Sequence, residues 1–421
     1  MAEGSTTGPA PAASNRAIVY LMAAVQFVNV LDFMMVSPLG PQFAEALHVS
    51  TSKLPMVAGS YTAAASVTGV LGSLYLERFD RRTALVVTLL GLSVGTALGG
   101  IATGYGTLLL ARVVAGFFGG PATSLAFAIV SDAIPAERRG WAMGIVMGGF
   151  AVASVLGVPA GLILANWGGW RLPFFGVAGL ICVAALAASR LLPPLRDHLA
   201  ALGRGESAVR SLARLVSKPI VLSSLAMSVI ALMASFVLIP NFPAFLQFNL
   251  GYPGKRLDVV YLLGGVASLV TTRLAGPVVD KAGSTRVATA ATLLLVAITW
   301  AGFIAILPQF PVLAMSTSFF IAMGMRGVAY NTLTSKVPLP HERARFQSFQ
   351  SAVGHAAMAS GAFLSSRLLE ADASGKLLHV GRVAWTSIGL SFAVPLLMFG
   401  VERRVARRAA ASLDVPEPSR G

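Results

Sequence analysis

The sequence predicts an all-α membrane protein with twelve transmembrane helices, arranged as two pseudo-symmetric bundles of six. The first observation is composition: 55% of the 421 residues are hydrophobic and only 12% are charged, whereas soluble domains carry about 25% charged residues. The second is a series of charge-free runs, many of them long enough for the roughly 20 apolar residues that cross a bilayer. The third is an internal repeat of two charged loops.

Glycine, proline and charge clusters divide the apolar runs into twelve predicted helices. Their spans are 17–39, 54–76, 83–103, 107–131, 141–165, 171–192, 219–241, 257–279, 287–306, 312–335, 347–369 and 382–402. An even number of spans places both chain termini on the same side of the membrane.

Lysine and arginine are distributed unequally between the two sides. The even-numbered loops and both tails hold 22 of these residues, and the odd-numbered loops hold six. Because positively charged loops stay in the cytoplasm, we expect the termini and the even-numbered loops to be cytoplasmic. The same asymmetry accounts for the formal net charge of +15, so we expect no nucleic-acid partner.

The longest cytoplasmic connection is polar and basic, and it separates the two halves. The predicted domains are a disordered cytoplasmic tail at 1–16, an N-terminal bundle at 17–192, a cytoplasmic linker at 193–218, a C-terminal bundle at 219–404 and a second tail at 405–421. No basic stretch precedes a cleavable apolar segment, as a signal peptide requires, so the first apolar segment is expected to remain as a helix.

Two loops of the first half have counterparts in the second. "LERFDRR" (76–82) corresponds to "VDKAGSTR" (279–286), and "IPAERRG" (134–140) corresponds to "VPLPHERAR" (337–345). The acids of the two pairs are separated by 203 and 205 residues, which indicates an internal duplication. Repeated halves around a site near the bilayer midplane are typical of secondary transporters.

The sequence contains no convincing pattern for an enzyme active site or a metal site. Cys182 is the single cysteine, which excludes an internal disulfide and a cysteine-based metal site. "GLSVG" (91–95) matches a nucleophile pattern, but that pattern needs a strand-to-helix turn and this copy lies in an apolar helix. We expect no metal, no cofactor and no enzyme.

Several motifs together resemble the major facilitator superfamily, and within it the twelve-helix drug/proton antiporter group. The loop after helix 2 reads "GSLYLERFDRR", its second copy reads "GPVVDKAGSTR", helix 4 carries "RVVAG" and helix 5 carries "GFAVASVLGVPAG". The helix 5 segment approximates the antiporter motif through Gly157, Pro159 and Gly161. The resemblance implies the major facilitator fold, a small-molecule substrate, protons as the coupling ion and a bacterial inner membrane. We expect a monomer in the lipid bilayer.

One carboxylate, Asp32, lies inside the apolar stretch of helix 1. An acid at that depth costs roughly 2.5–3.5 kcal/mol on insertion scales. By helical rise, Asp32 lies roughly 6 Å and Arg112 about 10 Å outside the midplane, so the two can pair. We expect Asp32 to carry a proton and Arg112 to tune it. The alternative is a static pair that only holds helices 1 and 4 together.

Further polar side chains are expected to line a central cavity. Gln26 and Asn29 share a helical face with Asp32. In the C-terminal half, Arg326 and His355 lie at similar depth just inside the midplane, where buried charge marks a substrate or ion pathway. Arg326 could hold an anionic substrate group, while a plain hydrogen-bonded core histidine is the alternative for His355.

The loop charges are candidates for cytoplasmic ion pairs that stabilise one closed arrangement of the two halves. A solvated, topology-setting charge run is the alternative. The predicted gating residues are Glu77, Arg78, Arg81, Arg82, Asp132, Glu137, Arg138, Asp280 and Lys281.

The resemblance and the apolar, methionine- and phenylalanine-rich spans favour a secondary active transporter that exports lipophilic or drug-like molecules with protons. Proton-coupled uptake of a small metabolite or sugar is the first alternative, although such a cavity would need more amides and acids. A non-transporting membrane sensor is the second. The sequence does not identify the substrate.

Overall fold

The computed structural model describes residues 15–135, 138–196, 208–307, 309, 311–339 and 342–413. Twelve long helical segments follow one another in this part of the chain. They are α1 (Asn15–Ala46), α2 (Leu54–Tyr75), α3 (Arg81–Gly100), α4 (Tyr105–Ala133), α5 (Arg139–Gly168), α6 (Arg171–Leu191), α7 (Pro219–Asn249), α8 (Gly254–Ala282), α9 (Ser284–Ile304), α10 (Val312–Ser335), α11 (Arg343–Leu368) and α12 (Val380–Leu413).

Eleven of these segments are long and apolar enough to cross a membrane. The remaining one, α11, has 26 residues but a more polar composition, since it carries several serines, two glutamines, a histidine and three arginines among its apolar residues. It packs against α2 and α7, so protein covers much of its surface. The twelve-helix fold predicted from the sequence is confirmed.

Three helices extend at least seven residues further than predicted, and α12 continues past residue 402 to Leu413. α1 continues past residue 39 to Ala46, with a break at Met35. In α7, the α-helix breaks after Phe236, next to Pro240 and Pro243, and a short 3-10 turn at Ile239–Asn241 is followed by more helix, to Asn249. Prolines fit because each lies in the first turn of a new segment, where no intrahelical N–H is required.

Smaller elements connect the long helices. A linker helix (Ala208–Val216) precedes α7, and a hairpin of β1 (Glu370–Ala371) and β2 (Leu377–Leu378) joins α11 to α12. Leu215 of the linker helix is buried in the core of the C-terminal half, so the helix packs on protein through this side.

The halves meet along two helix pairs, α2 with α11 and α5 with α8. A Cβ on Gly59 would lie 2.8 Å from the Phe363 ring, one on Gly69 would lie 3.3 Å from the Ala352 Cβ, and one on Gly265 would lie 2.9 Å from the Val155 Cα. Small residues of this kind let membrane helices approach closely.

Four direct polar contacts between the halves lie at one end, here called the odd-loop end because it carries the first, third and later odd-numbered loops. The opposite end is called the even-loop end. The contacts run from Gln247 Nε2 to Glu45 Oε1 (3.0 Å), Thr51 Oγ1 to Gly375 O (2.8 Å), Asn166 Nδ2 to Lys255 O (3.0 Å) and Ser366 Oγ to Ser52 O (2.9 Å). They hold α1, α2 and α5 against the C-terminal half.

Candidate functional site

Asp32 and Arg112 form a salt bridge in the interior of the N-terminal half. The Arg112 guanidinium donates from Nη1 to Asp32 Oδ1 (3.0 Å) and from Nη2 to Asp32 Oδ2 (3.1 Å). Both residues are 0% exposed. Thr96 of α3 donates from Oγ1 to Asp32 Oδ1 at 2.7 Å. The pair predicted from helix depth is therefore present, with a third helix contributing to it.

Tyr61 of α2 completes the surroundings of the guanidinium. The Arg112 Cζ atom lies 4.6 Å from the centre of the Tyr61 ring, which is within the range of a cation–π contact. The Arg112 Nε atom has no hydrogen-bond partner in the described structure. Four helices thus converge on one ion pair.

Asn29 extends this network toward α4. Its Nδ2 donates to Gly119 O (3.1 Å) and Thr123 Oγ1 (2.7 Å), and its Oδ1 accepts a hydrogen bond from the Tyr61 hydroxyl (3.0 Å). Asn29 is 5% exposed. It was expected to line a cavity, and in this conformation it is packed between helices.

Glycines of α4 allow this packing. A Cβ on Gly116, the glycine of "RVVAG", would lie 2.2 Å from the Tyr61 carbonyl oxygen, and a Cβ on Gly119 would lie 2.1 Å from the Tyr61 hydroxyl. Any larger residue would force α2 away from α4. These glycines therefore bring Tyr61 within reach of both Arg112 and Asn29.

Gln26 and the helix 5 motif lie where α1 packs against α5. Gln26 is half-buried, and its Oε1 has no hydrogen-bond partner in the described structure. Gly157 ends a π-helical turn (Ala153–Gly157), where its absent Cβ leaves room for Leu31. Pro159 lies in the first turn of the helix that follows, and Gly161 lies further along it near Met35. The motif thus shapes the contact between α5 and α1.

Arg326 of α10 is the buried cation of the C-terminal half, at 3% exposure. It donates from Nη2 to Ser235 Oγ (2.8 Å) and from Nη1 to Ser391 Oγ (3.3 Å), and Nη2 also approaches Met323 Sδ (3.4 Å). All of these partners are neutral. Within the described ranges, no acidic side chain forms a salt bridge with it.

His355 is half-buried in α11. Helical spacing places it on the side of α11 that carries Ala352 and Ala362, which lie against Gly69 and Gly59 of α2. No hydrogen bond joins it to Arg326 in the part of the chain that the structure describes. The structure therefore puts the histidine at the interface between the halves.

The loop charges at the even-loop end form contacts within the N-terminal half. Arg81 Nε donates to Asp132 Oδ2 at 3.2 Å, which joins α3 to α4, and the Arg82 guanidinium donates to Ser189 O of α6. Arg78, Arg138, Asp280 and Lys281 are exposed. Glu137 and the Glu77 side chain lie outside the described residues. A gating role for these residues stays a prediction.

In both halves, a carboxylate caps the N-terminus of the helix that follows the repeated charged loop, which is α3 in the first half and α9 in the second. Asp80 accepts hydrogen bonds from the Thr83 N–H and hydroxyl and from the Leu195 N–H. Burial opposes ionisation, but these hydrogen bonds and Arg196 outweigh it and hold the Asp80 pKa below its ordinary value. At the equivalent start of α9, Glu402 of α12 accepts from the Ser284 and Thr285 N–H groups.

Sequence reasoning missed several residues of these sites. Tyr61, Thr96, Ser235, Ser391 and Glu402 all make contacts that depend on which helix faces which. A lone hydroxyl in an apolar run gives no pattern that distinguishes it from an ordinary helix residue. Among the described residues, no group of three histidine, cysteine, aspartate or glutamate side chains could hold a metal ion.

Twelve membrane-length helices in two halves, with charged side chains buried between them, define a membrane transporter. The sequence model of the Major Facilitator Superfamily matches residues 22–362. The chain therefore belongs to this superfamily and is a transporter rather than an enzyme.

Comparisons with individual proteins agree with this assignment. The chain is 27% identical, over 93% of its length and 97% of the relative's, to a chloramphenicol resistance protein of Streptomyces lividans. Its fold is similar to that of a D-xylose-proton symporter (TM-score 0.71, 17% identity, 91% and 97% of the two chains). It is also similar to a bacterial Spinster homologue in an inward-facing conformation (TM-score 0.67, 16% identity, 94% and 97%).

Proposed function

We propose that this protein is a proton-coupled exporter of small, lipophilic or drug-like molecules in the cell membrane. The observation that carries the proposal is the fully buried Asp32–Arg112 pair. Support for export comes from the similarity, over nearly the whole chain, to a chloramphenicol resistance protein.

The pair is suited to couple protonation to packing. A buried carboxylate and guanidinium stabilise each other strongly only while both are charged, and removal of one charge leaves the other uncompensated. When Asp32 takes up a proton, its attraction for Arg112 falls, and the contacts among α1, α2, α3 and α4 are weakened together. Protonation would then shift the balance between two arrangements of the helices.

Phe33 provides a direct route from this pair to the other half. Its ring stacks on Tyr61 at 5.5 Å between centroids and on Phe236 of α7 at 5.9 Å. Because Phe33 follows Asp32 in α1 and Tyr61 contacts Arg112, a change in the ion pair reaches the contact between α1 and α7. This chain of contacts supports the proposed coupling between proton and conformation.

The polar contacts at the odd-loop end fit a conformation that is closed on that side. With the even-loop end in the cytoplasm, as the distribution of lysine and arginine predicts, the closed side is the outer one. The cited contacts of Glu45, Thr51, Ser52 and Asn166 with the C-terminal half would have to break for release of substrate outside. Loop ion pairs at the even-loop end would then stabilise the opposite, inward-closed arrangement.

Arg326, His355 and Gln26 are the proposed substrate contacts. Arg326 has only neutral partners, so its remaining donors can bind an acceptor or anionic group of a substrate, and an unneutralised buried cation marks a pathway. Gln26 adds an unpaired acceptor in the opposite half. His355 lies at the interface between the halves, where it can donate to or accept from a substrate.

Inverted membrane vesicles test the proposal directly. Respiration acidifies their interior, so a proton-coupled exporter accumulates its substrate inside, and a protonophore abolishes the accumulation. Radiolabelled chloramphenicol is the first compound to test, followed by a panel of lipophilic drugs. A pH-sensitive dye in the vesicle lumen reports proton release on addition of each compound.

Asp32→Asn should abolish both signals, whereas Asp258→Asn should leave them unchanged. Asp258 is a matched control because it is an acid at the start of α8 whose carboxylate bonds the adjacent Val259 N–H, far along the chain from the ion pair. Proton-driven accumulation that persists in Asp32→Asn contradicts the proposed carrier. Accumulation in right-side-out vesicles under an inward proton gradient would instead favour uptake.

A further inference from the structure

A pocket at the even-loop end lies where α3, α6 and the start of the linker meet. It has a volume of about 300 Å³, and its walls include Asp80, Arg82, Val86, Val87, Ser189 and Arg196. The first two lie at the start of α3 and Ser189 lies at the end of α6. A backbone hydrogen bond from the Arg81 N–H to Leu195 O (3.3 Å) holds the start of the linker against α3 at this place.

The pocket is positively charged once its internal contacts are counted. The Asp80 carboxylate already accepts three hydrogen bonds from Thr83 and the Leu195 N–H. Arg82 uses one guanidinium nitrogen for Ser189 O, and Arg196 is exposed. A guanidinium has five N–H donors, so two arginines leave several donors for a ligand, and one carboxylate offsets only one of their two charges.

The wall of the pocket continues into a lipid-facing apolar surface. Val87 and Val94 of α3 are each 57% exposed, and Leu186 and Val183 of α6 are 50% and 64% exposed. These positions follow helical spacing along α3 and α6, which pack against each other. The apolar surface therefore runs from the pocket toward the bilayer centre on both sides of one groove.

We propose that this pocket binds the phosphate of an anionic phospholipid, with the acyl chains along the groove between α3 and α6. Arginine binds phosphate through paired N–H donors, and anionic lipids are attracted to basic segments at a membrane surface. A lipid satisfies both parts of the site, because its headgroup meets the arginines while its chains cover the exposed valines and leucines. Free phosphate would meet the arginines alone.

Native mass spectrometry of the full-length protein in detergent tests this site. Phosphatidylglycerol is titrated against phosphatidylcholine, which has the same chains without net charge, and against sn-glycerol 3-phosphate, which has no chains. We expect phosphatidylglycerol to bind at least tenfold more tightly than either probe. The double variant Arg82→Gln/Arg196→Gln should lose this preference.

Arg403→Gln/Arg407→Gln is the matched control. It removes the same charge from two exposed arginines, one helical turn apart, at the even-loop end of α12, and binding should change less than twofold. Equal losses in the two double variants would overturn the proposal in favour of a general surface attraction. Binding of phosphatidylcholine or glycerol phosphate as tight as that of phosphatidylglycerol would also overturn it.

The single variant Arg196→Gln separates a loss of binding from a loss of fold, because this side chain is exposed and Arg82 keeps its contact with Ser189. We expect it to weaken phosphatidylglycerol binding at least threefold with an unchanged thermal unfolding midpoint. Unchanged binding in this variant would contradict a role for Arg196, and with it the two-arginine site.

Discussion

The two halves of the molecule each bury an arginine in the fourth helix of the half, Arg112 in α4 and Arg326 in α10, yet they surround it differently. Arg112 of α4 meets a carboxylate, a ring face and a helix crossing made by glycines. Arg326 of α10 meets two serine hydroxyls and a methionine sulfur. It also lies seven residues further into its helix than Arg112, which corresponds to roughly 10 Å.

This difference separates two tasks that a coupled transporter must carry out. A neutralised pair can hold helices together and can be altered by a proton, because one of its members can lose its charge. An arginine with neutral partners keeps its charge and retains attraction for an incoming group. We therefore assign proton coupling to the N-terminal half and substrate attraction to the C-terminal half, as part of the proposed function.

Asp32→Asn is the variant for which the largest effect is expected, and it tests the two roles assigned to the Asp32–Arg112 pair. It leaves the Arg112 guanidinium buried without a counter-charge, which should destabilise the protein by about 3–5 kcal/mol, and it should abolish proton-driven transport. Unfolding in mixed detergent micelles measures the stability. The double variant Asp32→Asn/Arg112→Met should recover most of the stability without recovering transport. Wild-type stability of Asp32→Asn would mean that the pair does not hold the N-terminal half.

Tyr61→Phe removes the hydroxyl that bonds Asn29 Oδ1 and keeps the ring over Arg112. A buried acceptor left without its donor costs about 1–3 kcal/mol, so we expect a loss in that range, measured by the same unfolding assay. Tyr105→Phe is a suitable control, because it removes a buried tyrosine hydroxyl that has no hydrogen-bond partner in the described structure. An equal or larger loss for Tyr105→Phe would show that the network around Asn29 is not special.

The carboxylates that cap α3 and α9 allow the helix starts of the two halves to be compared, and Asp80 is the cap of α3. Its lowered pKa means that its stabilising contribution is present above the ordinary carboxyl pKa of about 3.9 and is lost as pH falls through the lower folded value. Asp80→Ala should cost about 0.5–2 kcal/mol at neutral pH as a lost cap. Asp80→Asn should keep most of the cap and lose the pH dependence, as unfolding between pH 3 and pH 7 would show.

Glu402 is the C-terminal counterpart of that cap, supplied by a different helix. Glu402→Gln keeps one amide oxygen as acceptor but removes the charge that interacts with the α9 N-terminus. Such charge–dipole effects are worth about 0.3–1 kcal/mol, so we expect a loss in that range. The exposed Arg403→Gln in the same turn is the control and should change stability less. No loss in Glu402→Gln would show that α9 does not need a carboxylate at its start.

Arg326→Met should have the smallest effect on stability and the opposite sign from the N-terminal variants. Replacement of a buried charge without a counter-ion by an apolar side chain of similar length removes an unfavourable desolvation, so the unfolding midpoint should stay the same or rise. Transport should nevertheless fall, as the vesicle assay would report. A large loss of stability would mean that Arg326 holds the bundle, as Arg112 does.

Much of the fold could be predicted from the sequence because each helix depends on a local run of apolar residues. Asp32 and Arg112 could be paired by depth alone, since both were expected in the outer half of the membrane. The ends of α1, α7 and α12 were predicted too early, because helix continues through Pro41, resumes after the break at Pro240, and runs past residue 402 to Leu413. Tyr61, Thr96 and Glu402 gave no signal.

By itself, therefore, the sequence determined the number of helices, their division into two related halves and the depth at which charges are buried. These properties follow from the length of apolar runs and from the cost of charge in a bilayer, and both are local. Only the tertiary structure decided which hydroxyls, ring and carboxylate surround each buried arginine. Those contacts depend on the rotation and close approach of helices that are far apart in the chain. The glycines at 116 and 119 permit a close approach to α4, but they do not indicate in the sequence which helix makes it.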